Sequence, residues 1–210
     1  QNIINGCRLV IDNYKPTIEI DQTWEMFELG EICNLKGGGT PSRTEKDFWT
    51  GDIKWISCKY LDDEGNVTGY EKISQIGLDK SASNLIKSGS VIVVNRVSLG
   101  KVVLINEDFA INQDLTGVWS KDEKKLDQNF LFYYLYSIRN KFISAGQGLT
   151  VKGITREFIR KQKISIPPLE TQKEIVQKID DEQKIIEGNR QLIKIYREKI
   201  KTKIDKIWGI

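Results

Sequence analysis

Isoleucine recurs every seven residues near the end of the chain, at Ile179, Ile186, Ile193, Ile200 and Ile207. A strict seven-residue repeat keeps one stripe of a helix turned toward a partner helix. The neighbouring seam, four residues back each time, reads Ile175, Glu182, Asn189, Tyr196 and Lys203, so polar residues interrupt its middle. Leu192 and Ile204 add apolar edges. Thr171-x-x-Glu174 matches a capping box and predicts the helix start there. From Thr171 to Ile207 is 37 residues, about 55 Å of helix. A globular part of the remaining chain cannot cover that length. The pairing stripe is therefore assigned to Ile175, Ile179, Ile186, Ile193, Tyr196, Ile200, Ile204 and Ile207, facing a second long helix.

Upstream, the period differs. Residues 24–120 alternate short β-rich runs with turns. Ile53 to Ser57 has strand composition, and Ser90 to Val97 is the strongest strand because β-branched residues dominate it. Lys101 to Ile105 follows Ser98-Leu99-Gly100, which predicts a hairpin. Leu115 to Ser120 is a further strand, and Asp62 to Asn66 a turn. From Asp127, a predicted N-cap, one helical face carries Phe130, Leu131, Tyr134, Leu135, Ile138 and Phe142. Gly146 to Thr150 reads as a loop, Thr155 to Lys161 as a short helix and Lys163 to Ile166 as a last strand. Pro167-Pro168 closes the globular part. The expected fold class is α+β: a mixed, mostly β globular domain with short helices, then one long C-terminal coiled-coil helix. Its parts are a leading segment over 1–20, a globular domain over 21–167 and the long helix over 168–210. Ile3, Ile4, Cys7, Val10 and Ile11 give the leading segment helical spacing, ended by Asn13-Tyr14-Lys15-Pro16. The chain opens on Gln1 rather than Met, which points to a piece of a longer protein.

Composition narrows the chemistry. The 210 residues are 39% hydrophobic and 29% charged, enough apolar content for a packed core. No run approaches the roughly 18 to 20 apolar residues of a membrane span, and no signal peptide opens the chain. Histidine is absent, which removes a Ser-His-Asp triad and any His-containing zinc site. Cys7, Cys33 and Cys58 are odd in number and dispersed, as expected of reduced thiols in a cytoplasm. Gly100-Lys101 resembles the end of a phosphate loop, but Asn95 and Val102 stand where Gly and Ser or Thr are needed. Gly37-Gly38-Gly39 lacks dinucleotide-binding spacing. Asp62, Asp63 and Glu64 in a Gly-Asn turn are ordinarily just solvated.

Net charge is only +3, but from Arg139 to Lys163 seven basic residues (Arg139, Lys141, Lys152, Arg156, Arg160, Lys161, Lys163) face one acid, Glu157, giving 7 − 1 = +6. Phosphates could use that concentration of charge; a merely solvated basic surface would look the same. The conspicuous polar residues lie in loops between apolar elements. Lys36-Gly37-Gly38-Gly39-Thr40-Pro41-Ser42-Arg43 is small and basic, and its glycines would let a backbone approach a phosphate, although taken alone it reads as an ordinary surface turn. Asn95 to Lys101 puts Arg96, Ser98 and Lys101 at a hairpin tip, where arginine can grip a guanine edge. Asn112 and Gln113 carry amides suited to adenine. Trp49, Trp55 and Trp119 are expected in the core.

These pieces resemble the specificity subunits of type I restriction-modification systems. The matching stretches are Trp24 to Ile32, Gly37-Gly38-Gly39-Thr40-Pro41, Phe48-Trp49-x-Gly51-Asp52-Ile53-Lys54-Trp55-Ile56, Val94 to Lys101, Ile111-Asn112-Gln113-Asp114 and Ile164 to Gln172 with Ile175. Together they cover about residues 24 to 208. The resemblance implies one target-recognition domain and one spacer helix of a DNA-reading subunit without an active site. In that family two such domains read a split target, and two packed helices hold them apart and dock the methyltransferase subunits. A chain with one domain and one helix then looks like a half-subunit that forms a homodimer through its helix, or a fragment. The leading segment resembles the linker after the methyltransferase domain in fused restriction-modification enzymes, so the specificity end of a fused N6-adenine methyltransferase is the alternative. A coiled-coil scaffold that never binds DNA is a third. The implied partners are double-stranded DNA, an adenine methyltransferase subunit and a restriction subunit. S-adenosylmethionine, Mg²⁺ and ATP would belong to those subunits, with no cofactor or metal here. Candidate DNA contacts are Lys36, Thr40, Arg43, Lys59, Tyr60, Arg96, Ser98, Lys101, Gln113, Gln147, Thr150 and Lys152. Arg96 is expected to read a base and Lys161 to meet only phosphate.

Overall fold

The structure, a computed structural model, describes residues 23–146 and 153–209. The expected leading segment over 1–20 lies outside the described residues. Strand β1 (Glu25–Glu28) pairs antiparallel with the last strand, β10 (Lys163–Ile166), and so ties the two ends of the globular part together. A second sheet has the order β2 (Cys33–Gly37), β9 (Leu115–Ser120), β6 (Val91–Val94), β7 (Val102–Leu104). A third has the order β4 (Glu71–Ile73), β3 (Ile53–Ile56), β8 (Phe109–Ile111), β5 (Asn84–Ile86). Among the described strands only β3 and β8 run parallel.

The expected α+β class holds. The unbroken apolar run of β6 has a clear cause. Val91 and Val93 enter one core with Leu131, Leu135 and Phe142, while Ile92 and Val94 enter another with Ile56, Phe109 and Leu115. A strand buried on both faces has no polar face to alternate with. The strand expected over 90–97 stops at Val94 because Asn95 turns aside: its N–H donates to the Asp114 carbonyl and its own carbonyl accepts from Ile154 N–H, both at 2.8 Å. The hairpin to β7 forms as expected, with left-handed backbone at Val97 (φ 70°) and Gly100 (φ 92°). For the β-branched Val97 that conformation is strained.

Short helices α1 (Leu29–Ile32) and α2 (Gln75–Asp79) connect strands. Asp127 caps α3 (Gln128–Ser137), accepting from Asn129 and Phe130 N–H at 2.9 Å each. The helix expected to run on to Phe142 breaks at Ile138 and restarts as α4 (Arg139–Ala145). Side chains share the carbonyls there: Ser137 Oγ donates to Tyr134 O, which also accepts from Ile138 N–H, and Arg139 Nη1 donates to Tyr136 O, competing with the regular helical pattern. The short helix expected over 155–161 forms as α5 (Arg156–Arg160), with Thr155 as its N-cap. Trp55 is buried in the core; Trp49 and Trp119 are half-buried against it, which corrects two of the three tryptophan expectations in degree.

The long helix α6 spans Leu169–Trp208, 40 residues, about 60 Å. It starts ahead of the expected capping box, with Pro168 at the N-cap and no side-chain cap. Its first turns dock on α3. Gln172 and Val176 are buried, and Tyr133 OH donates to Asp180 Oδ1. Ile175 and Ile179, both assigned to helix pairing, are half-buried, and Val176, which the heptad count passes over, is the apolar residue buried most deeply on this helix. Beyond them Ile186, Ile193, Tyr196, Ile200, Ile204 and Ile207 stand exposed. Among the described residues no helix is long and apolar enough to cross a membrane.

Candidate nucleic-acid interface

Strand direction gathers the loops. Because β3 and β8 are parallel, their C-terminal ends, at Ile56 and Ile111, lie together, and Asn112 N–H donates to Ile56 O at 3.1 Å. The antiparallel partners β4 and β5 begin at that same end, with Glu71 opposite Trp55 and Asn84 opposite Ile111. In the other sheet β2 and β6 end where β9 begins. Two bonds bring the sheets to one rim: Gly39 N–H donates to Ile111 O at 3.0 Å and Asn84 Nδ2 to Gly37 O at 2.8 Å. The rim thus carries residues 38–43, 57–60, 95–101 and 112–114. Gln147, Thr150 and Lys152 lie outside the described residues. The glycines flanking them both abut the rim, Gly146 against Leu99 and Gly153 against Arg96.

The triple glycine has a different task from the one expected. A Cβ at Gly38 would lie 1.9 Å from Ile111 O, and one at Gly39 2.6 Å from the Ala82 side chain. These glycines let two protein backbones meet, and Trp55 Nε1 fixes Gly39 O at 3.2 Å. The loop is packed rather than free for a phosphate. Asn112 is likewise buried, its Nδ2 donating to Asp114 Oδ2 at 2.9 Å. That corrects its expected role as an adenine reader. Asn95 holds the rim from beneath, accepting from Thr116 Oγ1 at 2.9 Å and donating to Gln113 O at 3.3 Å.

The exposed rim side chains are mostly engaged with one another. Thr40 Oγ1 donates to Gln113 Oε1 at 2.7 Å, a bond that does not use the Gln113 amide N–H groups. Arg96 is folded onto the 113–114 loop, with Nη2 on Gln113 O at 3.3 Å and Nε 3.0 Å from Asp114 Oδ1. Its side chain stays 46% exposed, so part of the five-donor guanidinium still faces outward. Lys101 is not a free tip residue: its Nζ donates to Leu61 O at 2.6 Å and its side chain is only 19% exposed. It ties the hairpin to the 57–66 turn. Ser98 is half-buried in the tip, its N–H on Arg96 O. Arg43, Lys59 and Tyr60 converge on Glu71, which sequence reasoning missed. Those three bonds, that of Arg43 foremost, hold the Glu71 carboxyl down at about 2. Lys36 is exposed and lies beside the rim on β2.

The described residues of the basic stretch do not form a single patch at this rim. Arg156 lies over Gly37 at the rim end of β2, whereas Arg160 covers Gly30, seven residues before it, and shares Glu157 with Lys161. Arg139 stacks on Tyr136.

Residues 21–195 match the family described as "Type I restriction modification DNA specificity domain". The chain belongs to the type I restriction-modification DNA specificity family. The MjaIX specificity subunit of Methanocaldococcus jannaschii is 25% identical over 91% of this chain and 45% of its own length. The EcoR124I/EcoR124II specificity subunit of Escherichia coli is 31% identical over 74% of this chain and 40% of its own. The chain spans less than half the length of these curated relatives. The HsdS subunit from Thermoanaerobacter tengcongensis shares the fold, with a TM-score of 0.64 at 19% identity, covering 89% of this chain and 46% of that one. Three of the rim loops are anchored to the paired sheets by backbone bonds, Gly39 N–H to Ile111 O, Val94 N–H to Lys101 O and Asn112 N–H to Ile56 O. Two features had no sequence signal: the partners of Glu71 and the pairing of Arg96 with Asp114 depend on strand register. A third did have one. Glu28 and Glu31 form the capping box of α1, at the spacing that was applied instead to Thr171.

Proposed function

We propose that this chain reads sequence in double-stranded DNA through the rim formed by residues 38–43, 57–60, 95–101 and 112–114. It acts as one recognition half of a type I specificity subunit and performs no catalysis itself. The convergence of these loops on one rim, with Thr40, Gln113 and Arg96 exposed among them, carries this reading. Side-chain amides and guanidinium groups on rigidly anchored loops suit base edges, whereas phosphate contacts alone would need only charge. The exposed isoleucine stripe of α6 supports pairing with a second long helix, in a homodimer or within a longer protein. An adenine methyltransferase subunit and a restriction subunit are the proposed partners, and S-adenosylmethionine, Mg²⁺ and ATP are assigned to them. The test is enrichment of duplexes from a random pool by the full chain, followed by sequencing. A recurrent motif is expected. A bound pool indistinguishable from the input would overturn the reading.

A further inference from the structure

Glu71 begins β4 at the rim, opposite Trp55. Its carboxylate takes Arg43 Nη1 at 2.5 Å on Oε2, and Arg43 Nη2 at 3.2 Å, Lys59 Nζ at 3.0 Å and Tyr60 OH at 3.1 Å on Oε1. The two cations stand on the surface, their side chains 54% and 60% exposed, while Glu71 is only 26% exposed beneath them. The Arg43 guanidinium carbon also lies over Trp49, 3.5 Å from the ring centroid. A bidentate carboxylate below and an aromatic face beside it leave the guanidinium little freedom. Arg43 comes from the loop after β2 and Lys59 and Tyr60 from the turn after β3, so a single acid joins two rim loops.

Non-specific DNA binding is almost wholly a matter of free cations displacing counterions from phosphates. A cation already matched to a carboxylate contributes less to it, because phosphate must compete with an anion in contact. We infer that Glu71 is a specificity-determining residue: it restrains Arg43, Lys59 and Tyr60 on the protein, so that they turn to DNA only where neighbouring rim contacts hold a matching sequence in place. The gain is in discrimination, since suppressing the wrong partners raises the specificity ratio as much as tightening the right one. This inference rests on the DNA-reading proposal above.

The test compares the full chain with Glu71→Gln by fluorescence anisotropy across a salt series. Two duplexes are used: one of mixed sequence, and one enriched from a random pool by the parent chain. Releasing two cations should tighten mixed-sequence binding about tenfold at low salt and steepen its log–log salt slope by about one to two units, at roughly 0.9 per phosphate. Binding to the enriched duplex should change less, so selectivity falls. In the parent chain, Arg43→Ala with Lys59→Ala should weaken mixed-sequence binding far less than the enriched duplex, because restrained cations add little to random phosphate contact. This second comparison also serves if Glu71→Gln fails to fold. Equal losses on both duplexes for Glu71→Gln, or a mixed-sequence slope that drops by about two units in the double alanine variant, would overturn the inference. If the parent chain enriches no motif at all, the DNA-reading proposal itself fails and takes this inference with it; a parent that discriminates beside an unaffected Glu71→Gln sinks the inference alone.

Discussion

Gln172 is fully buried in the first turns of the long helix, and its amide is completely occupied. Oε1 accepts from Asp127 N–H at 2.8 Å, and Nε2 donates to Lys125 O and to Pro167 O, both at 2.8 Å. One side chain thus binds the helix to the segment that caps α3 and to the proline hinge where the globular part ends. Gln172→Ala removes all three bonds and strands three backbone groups. At about 1 kcal/mol net per bond the loss is about 3 kcal/mol. For a protein of this size each kcal/mol moves Tm by roughly 2–4 °C, so Tm should fall by about 6–12 °C. Gln172→Glu sharpens the argument, because it keeps the shape and changes the donor. A carboxylate can still accept from Asp127 N–H but faces two carbonyl oxygens to which it cannot donate. Only its protonated form can satisfy one of them, so folding raises the pKa of the introduced carboxyl. The stability linked to that proton is fully present below the unfolded pKa and is lost as pH rises through the folded one. The deficit of Gln172→Glu against the parent should therefore be largest at pH 7 and shrink on acidification toward pH 4. Urea unfolding followed by circular dichroism at several pH values measures both effects. A Gln172→Ala variant within about 0.5 kcal/mol of the parent, the range of an ordinary surface change, would refute the reasoning. So would a Gln172→Glu deficit that ignores pH.

Three further outcomes are expected. Ile186→Asp with Ile193→Asp places charges in the exposed stripe, where a paired helix would leave them buried without partners at a cost of several kcal/mol; sedimentation velocity should show loss of the dimer, and a parent chain that is monomeric at high micromolar concentration would contradict pairing between copies. Gly38→Ala forces a methyl into the Ile111 carbonyl, so the rim must shift, and we expect a loss of about 2 kcal/mol or more in thermal melting; an unchanged Tm would mean that the loop is not packed as described. Arg96→Ala should cost about 1–3 kcal/mol on an enriched duplex and relax one position of its motif, while Lys36→Ala should weaken all duplexes alike and reduce the salt slope by about one unit. Lys161, on the α5 end that covers Gly30 and paired with Glu157, should change neither when replaced by alanine; a uniform loss there would place DNA on the other end of the domain.

The sequence by itself determined the local elements. Periodicity every seven residues marked the long helix and its stripe, a β-branched run marked β6, and Asp127 marked a helix start through a side chain that caps its own backbone. Those features act over a few residues, so a linear reading finds them. The same reading placed Thr40, Arg43, Arg96 and Gln113 in polar loops between apolar strands. That these loops share one rim was decided only by tertiary structure, through the parallel register of β3 with β8 and the bond from Gly39 to Ile111. Register likewise set which charges meet: Arg43 finds Glu71 across 28 positions, a distance at which no propensity operates. Space decided the rest. The glycines at 38 and 39 serve a contact between backbones, and Gln172, polar in sequence, is buried because three backbone groups from separate segments converge on its amide. Local physics writes the elements into the chain; which surfaces they cover, and which charges remain free, follows from where the strands pair.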